Sequence, residues 1–376
     1  MTVHHRRRFL QKTLALMAFA APAAHRAAAS PGPDVLPAVE PDRFCMPDEG
    51  ARHACTWMAF GPSASIWGRE LLPRARRDLA LLARTIARYE PVRLLVRPNE
   101  LALARSLVGD VADIEFIPCP LDDLWIRDTG PTFVRDSAGT KAAIDFNFNG
   151  WGRKQAHARD AGVAAFVARH AGVPCRKAPL VMEGGCIEVD GAGTAIVTES
   201  CTLNRNRNPG MSRAEFEDRL MPLLGLEKIV WLPGIRGRDI TDGHTDFYAR
   251  FARPGVVIAG LEEDRDLDDH AITREHLEIL LTATDAAGRQ LEVHPLSSPA
   301  TVRAGGDNEE FAAGYIGFYV CNGAVIVQQF GDREADARAR ETLARAFPGR
   351  TIEPLDMDGI AAGGGSVHCA TQQEPA

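Results

Sequence analysis

The eight cysteines of this 376-residue chain are scattered, and no two stand close together. Small exported scaffolds that need staples carry dense cysteine patterns, whereas a chain this long can bury a core without them. A disulfide framework is therefore excluded as the organising principle, and reduced thiols are predicted. A second absence concerns the membrane. Beyond the first thirty residues no run is long and apolar enough to span a bilayer. A basic surplus is missing too, because the formal net charge is −7. That balance argues against nucleic acid and suits a small cationic ligand.

What is present begins with export grammar. MTVHHRRRFLQK is a basic start, TLALMAFAAPAA a short apolar run, and AAHRAAAS a small-residue stretch with cleavage expected after Ala29. Arg6, Arg7, Phe9 and Leu10 resemble a twin-arginine address, which points to an exported, periplasmic or secreted protein. Removing residues 1–29 takes five cations and no acid, which carries the net charge from −7 to −12. The predicted organisation is a signal over 1–29, a linker over 30–41 and one domain over 42–376.

Within that domain one sentence recurs. LLPRARRDLALLARTIARYE is apolar at helical spacing and runs into VRLLVRP, a buried-strand pattern ended by proline. FVARHAGVPCRKAPL, LLGLEKIVWLP, ATDAAGRQLEVHP and ARAFPGRTIEP repeat it, each a helix end, a turn and a strand closing near Pro179, Pro233, Pro295 and Pro354. Those four prolines are 54, 62 and 59 residues apart, which reads as a degenerate repeat of roughly sixty. FYVCNGAVIVQQF adds a hairpin turning at Asn322-Gly323. The expected fold is α+β, with five strand-helix units arranged about an axis and the segments after the strands converging on one site.

Those segments carry the chemistry. LDDLWIRDTGP holds Asp128, VMEGG holds Glu183, DITDGHTDFY holds Asp242, His244 and Asp246, and GGGSVHCATQQEPA holds Cys369. A thiolate near a base is a nucleophile. Two carboxylates match the planar fork of a guanidinium, so Asp128 and Asp246 are predicted to grip such a substrate. Its central carbon would then face Cys369. His244 serves as base and then acid, and Glu183 orients it. The implied reaction is thiol attack, loss of ammonia, a covalent thiouronium and hydrolysis to a ureido product.

WIRDTGP, MEGGCIEVDGAGT, LNRNRNP, TDGHTDFYARF and GGGSVHCATQQEP together make the chain similar to the agmatine deiminase and bacterial-type peptidylarginine deiminase family of guanidine-modifying enzymes. The resemblance runs from MPDEGARHACTWMAF to the C-terminus. It implies a pentein fold, a five-bladed β/α propeller, with Cys369 as nucleophile, His244 and Glu183 in proton transfer, and Asp128 and Asp246 on the guanidinium. It implies agmatine as the default substrate, yielding N-carbamoylputrescine and ammonia, and no metal or organic cofactor. A homo-oligomer is compatible with it.

Departures gather at the far end of the substrate. Ile240 stands four residues before His244, where the family has an acid that can meet the amine of agmatine. Gly317 replaces an expected Asn, MAFG replaces a Trp-Pro stretch, and only Arg153 and Lys154 lie near FNFNGWG to meet a carboxylate. Trp57, Trp67 and Trp151 remain, with Trp151 and Ile240 assigned to the substrate tail. Peptidyl or free arginine therefore stays open as substrate, as does an amidinotransferase. Two readings of another class also stand: a metal ureohydrolase using the D-x-H-x-D of Asp242, His244 and Asp246, and an exported guanidine-binding protein without turnover.

Overall fold

A computed structural model describes residues 44–303, 308 and 310–376. The signal over 1–29 and the linker over 30–41 lie outside the described residues. None of the described helices is long and apolar enough to cross a membrane.

The chain folds as a mixed α/β protein with five small sheets. The first contains β1 (His53–Phe60), β2 (Val92–Val96) and β3 (Ile114–Pro118). The next four each take three strands: β4 (Thr132–Arg135), β5 (Lys141–Asp145) and β6 (Cys175–Lys177); β7 (Ile187–Val189), β8 (Thr194–Thr198) and β9 (Lys228–Leu232); β10 (Ala249–Arg253), β11 (Val256–Leu261) and β12 (Glu292–Ser297); β13 (Tyr319–Cys321), β14 (Ala324–Gln328) and β15 (Thr351–Leu355). In each of these four, an antiparallel hairpin is followed by a helical crossover to a parallel strand. Finally β16 (Gln372–Pro375) runs back antiparallel to β1. The first unit is thus completed by the last residues of the chain.

Local sequence explains the crossovers. Helix α1 (Ala64–Ile86) breaks at Gly68 (φ 66°) and then buries Ala75, Leu79, Leu82, Ala83 and Ile86 along one stripe. Helix α2 (Val163–Ala171) stops at Gly172, which takes a left-handed conformation before the strand. Helix α3 (Arg213–Leu224) starts with a reciprocal capping box between Ser212 and Glu215. Helices α4 (Asp269–Thr282) and α5 (Arg333–Ala346) fill the same place in the last two units.

The strands close near the expected prolines, with Pro295 two residues before the end of β12 and Pro354 one residue before the end of β15. Each of these strands pairs on one side only, where a missing N–H costs no ladder bond. The long gap between Pro98 and Pro179 also has a cause, since the first unit carries an extra helix (Leu101–Val108) and strand β3. The expected hairpin at Asn322-Gly323 forms with Cys321 opposite Ala324, but only Gly323 takes a positive φ. Asn322 instead bonds across to both backbone groups of His53.

The C-terminus is a buried strand. Glu374 on β16 accepts from Trp57 Nε1 (3.0 Å), Arg93 Nη1 (3.0 Å) and Lys141 Nζ (2.6 Å). That anchor holds the segment carrying Cys369 inside the molecule. Trp57 is consequently a core residue, remote in role from any substrate.

Candidate active site

Four inter-unit segments bring the predicted residues together. Asp128 lies between β3 and β4, Glu183 between β6 and β7, His244 and Asp246 between β9 and β10, and Cys369 between β15 and β16. Glycines let these segments touch. A Cβ on Gly185 would lie 2.5 Å from His244 Nδ1 and 3.1 Å from both Asp128 Oδ1 and Asp246 Oδ2. Side chains on Gly363 and Gly365 would enter the rings of Trp67 and Trp125, at 2.2 and 2.3 Å. The glycine-rich tail is therefore a packing requirement, and it forms one wall of a cleft of ≈ 290 Å³.

Every one of the five residues is buried. Asp128 accepts from Trp151 Nε1 at 2.9 Å and from the Gly185 N–H at 3.1 Å. His244 Nδ1 lies 3.8 Å from Asp128 Oδ1, and His244 Nε2 lies 3.3 Å from Glu183 Oε2. Arg207, from the LNRNRNP motif, donates its Nε to both Glu183 oxygens at 2.8 and 3.0 Å. Asp246 Oδ2 accepts from His368 Nδ1 at 2.7 Å, while Asp246 Oδ1 is buried with no hydrogen-bond partner among the described residues. Cys369 Sγ points at Asp246 Oδ2 (3.8 Å) and touches the Ser366 hydroxyl at 3.2 Å.

Protonation follows from these neighbours. Burial disfavours a charged His244, yet Asp128 and Glu183 outweigh it and raise the imidazole to about 10. Burial likewise opposes ionised Glu183, but Arg207 and His244 hold it down to about 2. Asp246 overcomes its own burial through His368 and stays below the usual carboxylate range. Asp128 is pushed up by burial, with Asp246 and Glu183 adding to the shift. Burial, Asp246 and Asp128 also push the Cys369 thiol well above its ordinary value. At neutral pH the site therefore holds a protonated thiol and an imidazolium.

Sequence reasoning missed the layer beneath. Glu49, within the MPDEG stretch, accepts from Arg127 Nη2 (3.0 Å), His368 Nε2 (2.9 Å) and the Val320 N–H (2.8 Å), and pairs with Arg250 Nη2 at 2.9 Å. Arg250 also pairs with Glu188. The available signal was Arg250 itself, an arginine inside the apolar strand pattern FYARF that demands a buried acid. Gly317, noted as a departure, makes room for Ser366, since a Cβ there would lie 2.2 Å from Ser366 Cβ.

The remaining predicted residues divide. Trp151 and Ile240 both line the cleft, together with Trp67, Trp125, Asp123, Asp239 and Glu310. Trp151 takes a left-handed backbone (φ 54°) that turns its indole onto Asp128. Asp242 leaves the site, because its Oδ2 accepts from Arg207 Nη1 (2.9 Å) and pairs with Lys154 Nζ (2.8 Å). The D-x-H-x-D pattern therefore does not assemble as a set of metal ligands.

The same architecture recurs in known proteins. An agmatine deiminase of Enterococcus faecalis superposes with a TM-score of 0.82 at 30% identity, covering 89% of this chain and 97% of that one. A Streptomyces coelicolor protein is 45% identical over 340 residues, 88% of this chain and 99% of its own length. The Pseudomonas aeruginosa agmatine deiminase is 37% identical over 362 residues, 89% and 96% of the two lengths. The sequence pattern of the Porphyromonas-type peptidyl-arginine deiminases matches residues 45–375, a stretch that holds every site residue described above. With that match spanning nearly the whole described chain, and relatives this similar over their full length, the protein belongs to the Porphyromonas-type peptidyl-arginine deiminase family.

Proposed function

We propose that the protein is a hydrolase that deiminates agmatine to N-carbamoylputrescine and ammonia, with Cys369 as the nucleophile. One observation carries the reading. Asp246 Oδ1 is a buried oxygen without a hydrogen-bond partner among the described residues, and Asp246 lies against Cys369, which lines the cleft together with Asp128. A guanidinium placed there bonds both carboxylates and sets its carbon against Sγ. The cation also supplies the positive charge the thiol lacks, so the S–H proton passes to solvent as substrate binds. Sγ adds to the guanidinium carbon. His244, held as imidazolium, protonates the departing nitrogen and ammonia leaves. The thiouronium remains on Cys369. His244, now neutral, takes one proton from water, whose oxygen adds to the same carbon and expels the thiolate; the oxygen's second proton returns to Sγ, which leaves the ureido product and the thiol. Glu183 holds His244 Nε2 throughout, so Nδ1 is the exchanging atom.

The five sheets are read as the blades of a five-bladed propeller with this site at their convergence. Export through the Arg6-Arg7 signal is proposed on the sequence alone; a native protein whose mass begins at Met1 or Thr2 in the cytoplasm would refute it. Ile240 and the apolar cleft wall favour a second substrate, arginine within a peptide. A ureido-specific colorimetric assay over agmatine, free arginine and arginyl peptides separates the two. Turnover of agmatine with ammonia release supports the first reading, and turnover of peptides alone replaces it with the second.

A further inference from the structure

The proposed reaction uses one face of His244 and leaves a buried thiol behind the other face unexplained. Cys186 Sγ lies 3.1 Å from Glu183 Oε2, and His244 Nε2 lies 3.3 Å from the same oxygen. The three ligating atoms lie within 4.8 Å of one another, and all three side chains are buried. Neither Glu183 nor Cys186 lines the cleft, so the cluster sits beneath the imidazole.

We propose that Glu183, Cys186 and His244 form a binding site for a thiophilic divalent cation of the zinc class, and that its occupation switches deimination off. The spacing fits such an ion. Tetrahedral zinc with bonds of roughly 2.0–2.3 Å sets its ligand atoms about 3.3–3.5 Å apart. Both measured contacts fall within a few tenths of an ångström of that range. The donor set also suits it, being one sulfur, one imidazole nitrogen and one carboxylate oxygen.

Charge is conserved on entry. The ion brings two positive charges and displaces two protons, one from the Cys186 thiol and one from His244 Nε2. Sulfur and nitrogen donate the freed electron pairs to the metal, and Glu183 Oε2 completes three bonds. Arg207 Nε, which reaches Glu183 Oε2 at 2.8 Å and Oε1 at 3.0 Å, gives up the first bond to the ion and keeps the second. The buried cluster therefore gains no net charge. Its effect on turnover follows from the imidazole. With Nε2 on the metal, the ring keeps its remaining proton on Nδ1 and no longer alternates between acid and base. Inhibition thus rests on the acid–base role proposed for His244, whereas binding does not.

The test uses Cd²⁺ as a spectroscopic probe and Zn²⁺ as the inhibitor, on the full chain. In wild type and in Cys369→Ser alike, one Cd²⁺ should bind with an ultraviolet thiolate-to-metal absorption and release two protons in weak buffer. Cys186→Ser, which keeps a hydroxyl to donate to Glu183, should lose that absorption. Zn²⁺ should lower kcat reversibly, EDTA should restore it, and Cys186→Ser should raise the inhibitory concentration at least tenfold. An absorption lost in Cys369→Ser and retained in Cys186→Ser would put the ion on the nucleophile and overturn the site, as would no binding at all. Cd²⁺ bound at Cys186 with undiminished turnover would uphold the site but refute both the switch and the acid–base role of His244.

Discussion

Glu49 and Asp246 are both buried carboxylates of one network, and both hold the ring of His368. Their other contacts are opposite. Glu49 is surrounded by Arg127, Arg250 and the Val320 N–H, and those cations hold it well below the usual carboxylate range against full burial. Asp246 keeps one oxygen with no hydrogen-bond partner among the described residues. Folding therefore completes the layer beneath Cys369 and leaves the layer above it unfinished. A buried polar atom left unpaired costs stability, and Cys369, next to Asp246, lines a cleft that a cation can enter. The comparison separates residues that hold the site from residues that wait for substrate.

The largest effect expected belongs to the nucleophile. Cys369→Ser should lower kcat by on the order of 10⁴ or more, because a hydroxyl without a strong base is a far weaker nucleophile. Thermal unfolding should be nearly unchanged, since Ser keeps the contact with Ser366. More than a few per cent of residual turnover would assign the attack to another group.

The paired carboxylates come next, and they break the comparison if it is wrong. Asp246→Asn keeps an oxygen for His368 but removes the charge facing substrate, so kcat/KM should fall by about 10²–10³, or about 3–4 kcal/mol, with a small change in unfolding. Glu49→Gln should do the reverse, destabilising the fold by about 3–5 kcal/mol through two under-compensated arginines. Kinetics and denaturation on both variants decide the matter. A Glu49→Gln protein that unfolds like wild type while Asp246→Asn collapses would invert the assignment.

That pair also shows what sequence could and could not reveal. Asp128, Glu183, His244, Asp246 and Cys369 stand beside glycines in short distinctive stretches, because close approach around a small ligand forbids side chains nearby. The five helix-strand repeats were legible for a similar local reason, namely periodicity. The layer beneath was not. Glu49 lies 319 residues from His368 in the chain, and Arg127 and Arg250 gain meaning only once the sheets are assembled. The return of β16 to β1 was hidden too, since QQEP has no strand pattern and is fixed by what Glu374 binds.

A smaller effect concerns pH and the unliganded protein. His244 is raised to about 10 from 6.5, so its contribution to stability is whole below 6.5 and is lost as pH climbs through 10. Glu183 is lowered to about 2 from 4.5, so its contribution is present above 4.5 and is lost as pH falls towards 2. Between 4.5 and 6.5 both are intact. Unfolding measured across pH should therefore decline on the alkaline side in wild type, and His244→Asn should flatten that limb between 6.5 and 10. An identical alkaline slope in the variant would show that His244 is not held as imidazolium.

The smallest predicted change sharpens the unfinished side of the cleft at its mouth. Ile240 lines the cleft as an apolar residue, next to Asp239, whose Oδ1 is already occupied by the Thr241 N–H and the Gly243 N–H. An ammonium that reaches Ile240 would meet an apolar side chain there, with Asp123, Asp239 and Glu310 elsewhere on the wall, which should weaken binding before it slows chemistry. Ile240→Glu adds a carboxylate there, though Lys154, which donates to the Ile240 carbonyl at 3.0 Å, will compete for it. We expect kcat/KM for agmatine to rise by about tenfold, about 1.4 kcal/mol, almost wholly through KM. A substrate bearing a carboxylate at its far end should lose affinity by the same change. If Ile240→Glu brings no gain while Asp239→Asn raises KM for agmatine, the amine is already held by Asp239. The unfinished region would then stop at Asp246 and not extend to the mouth.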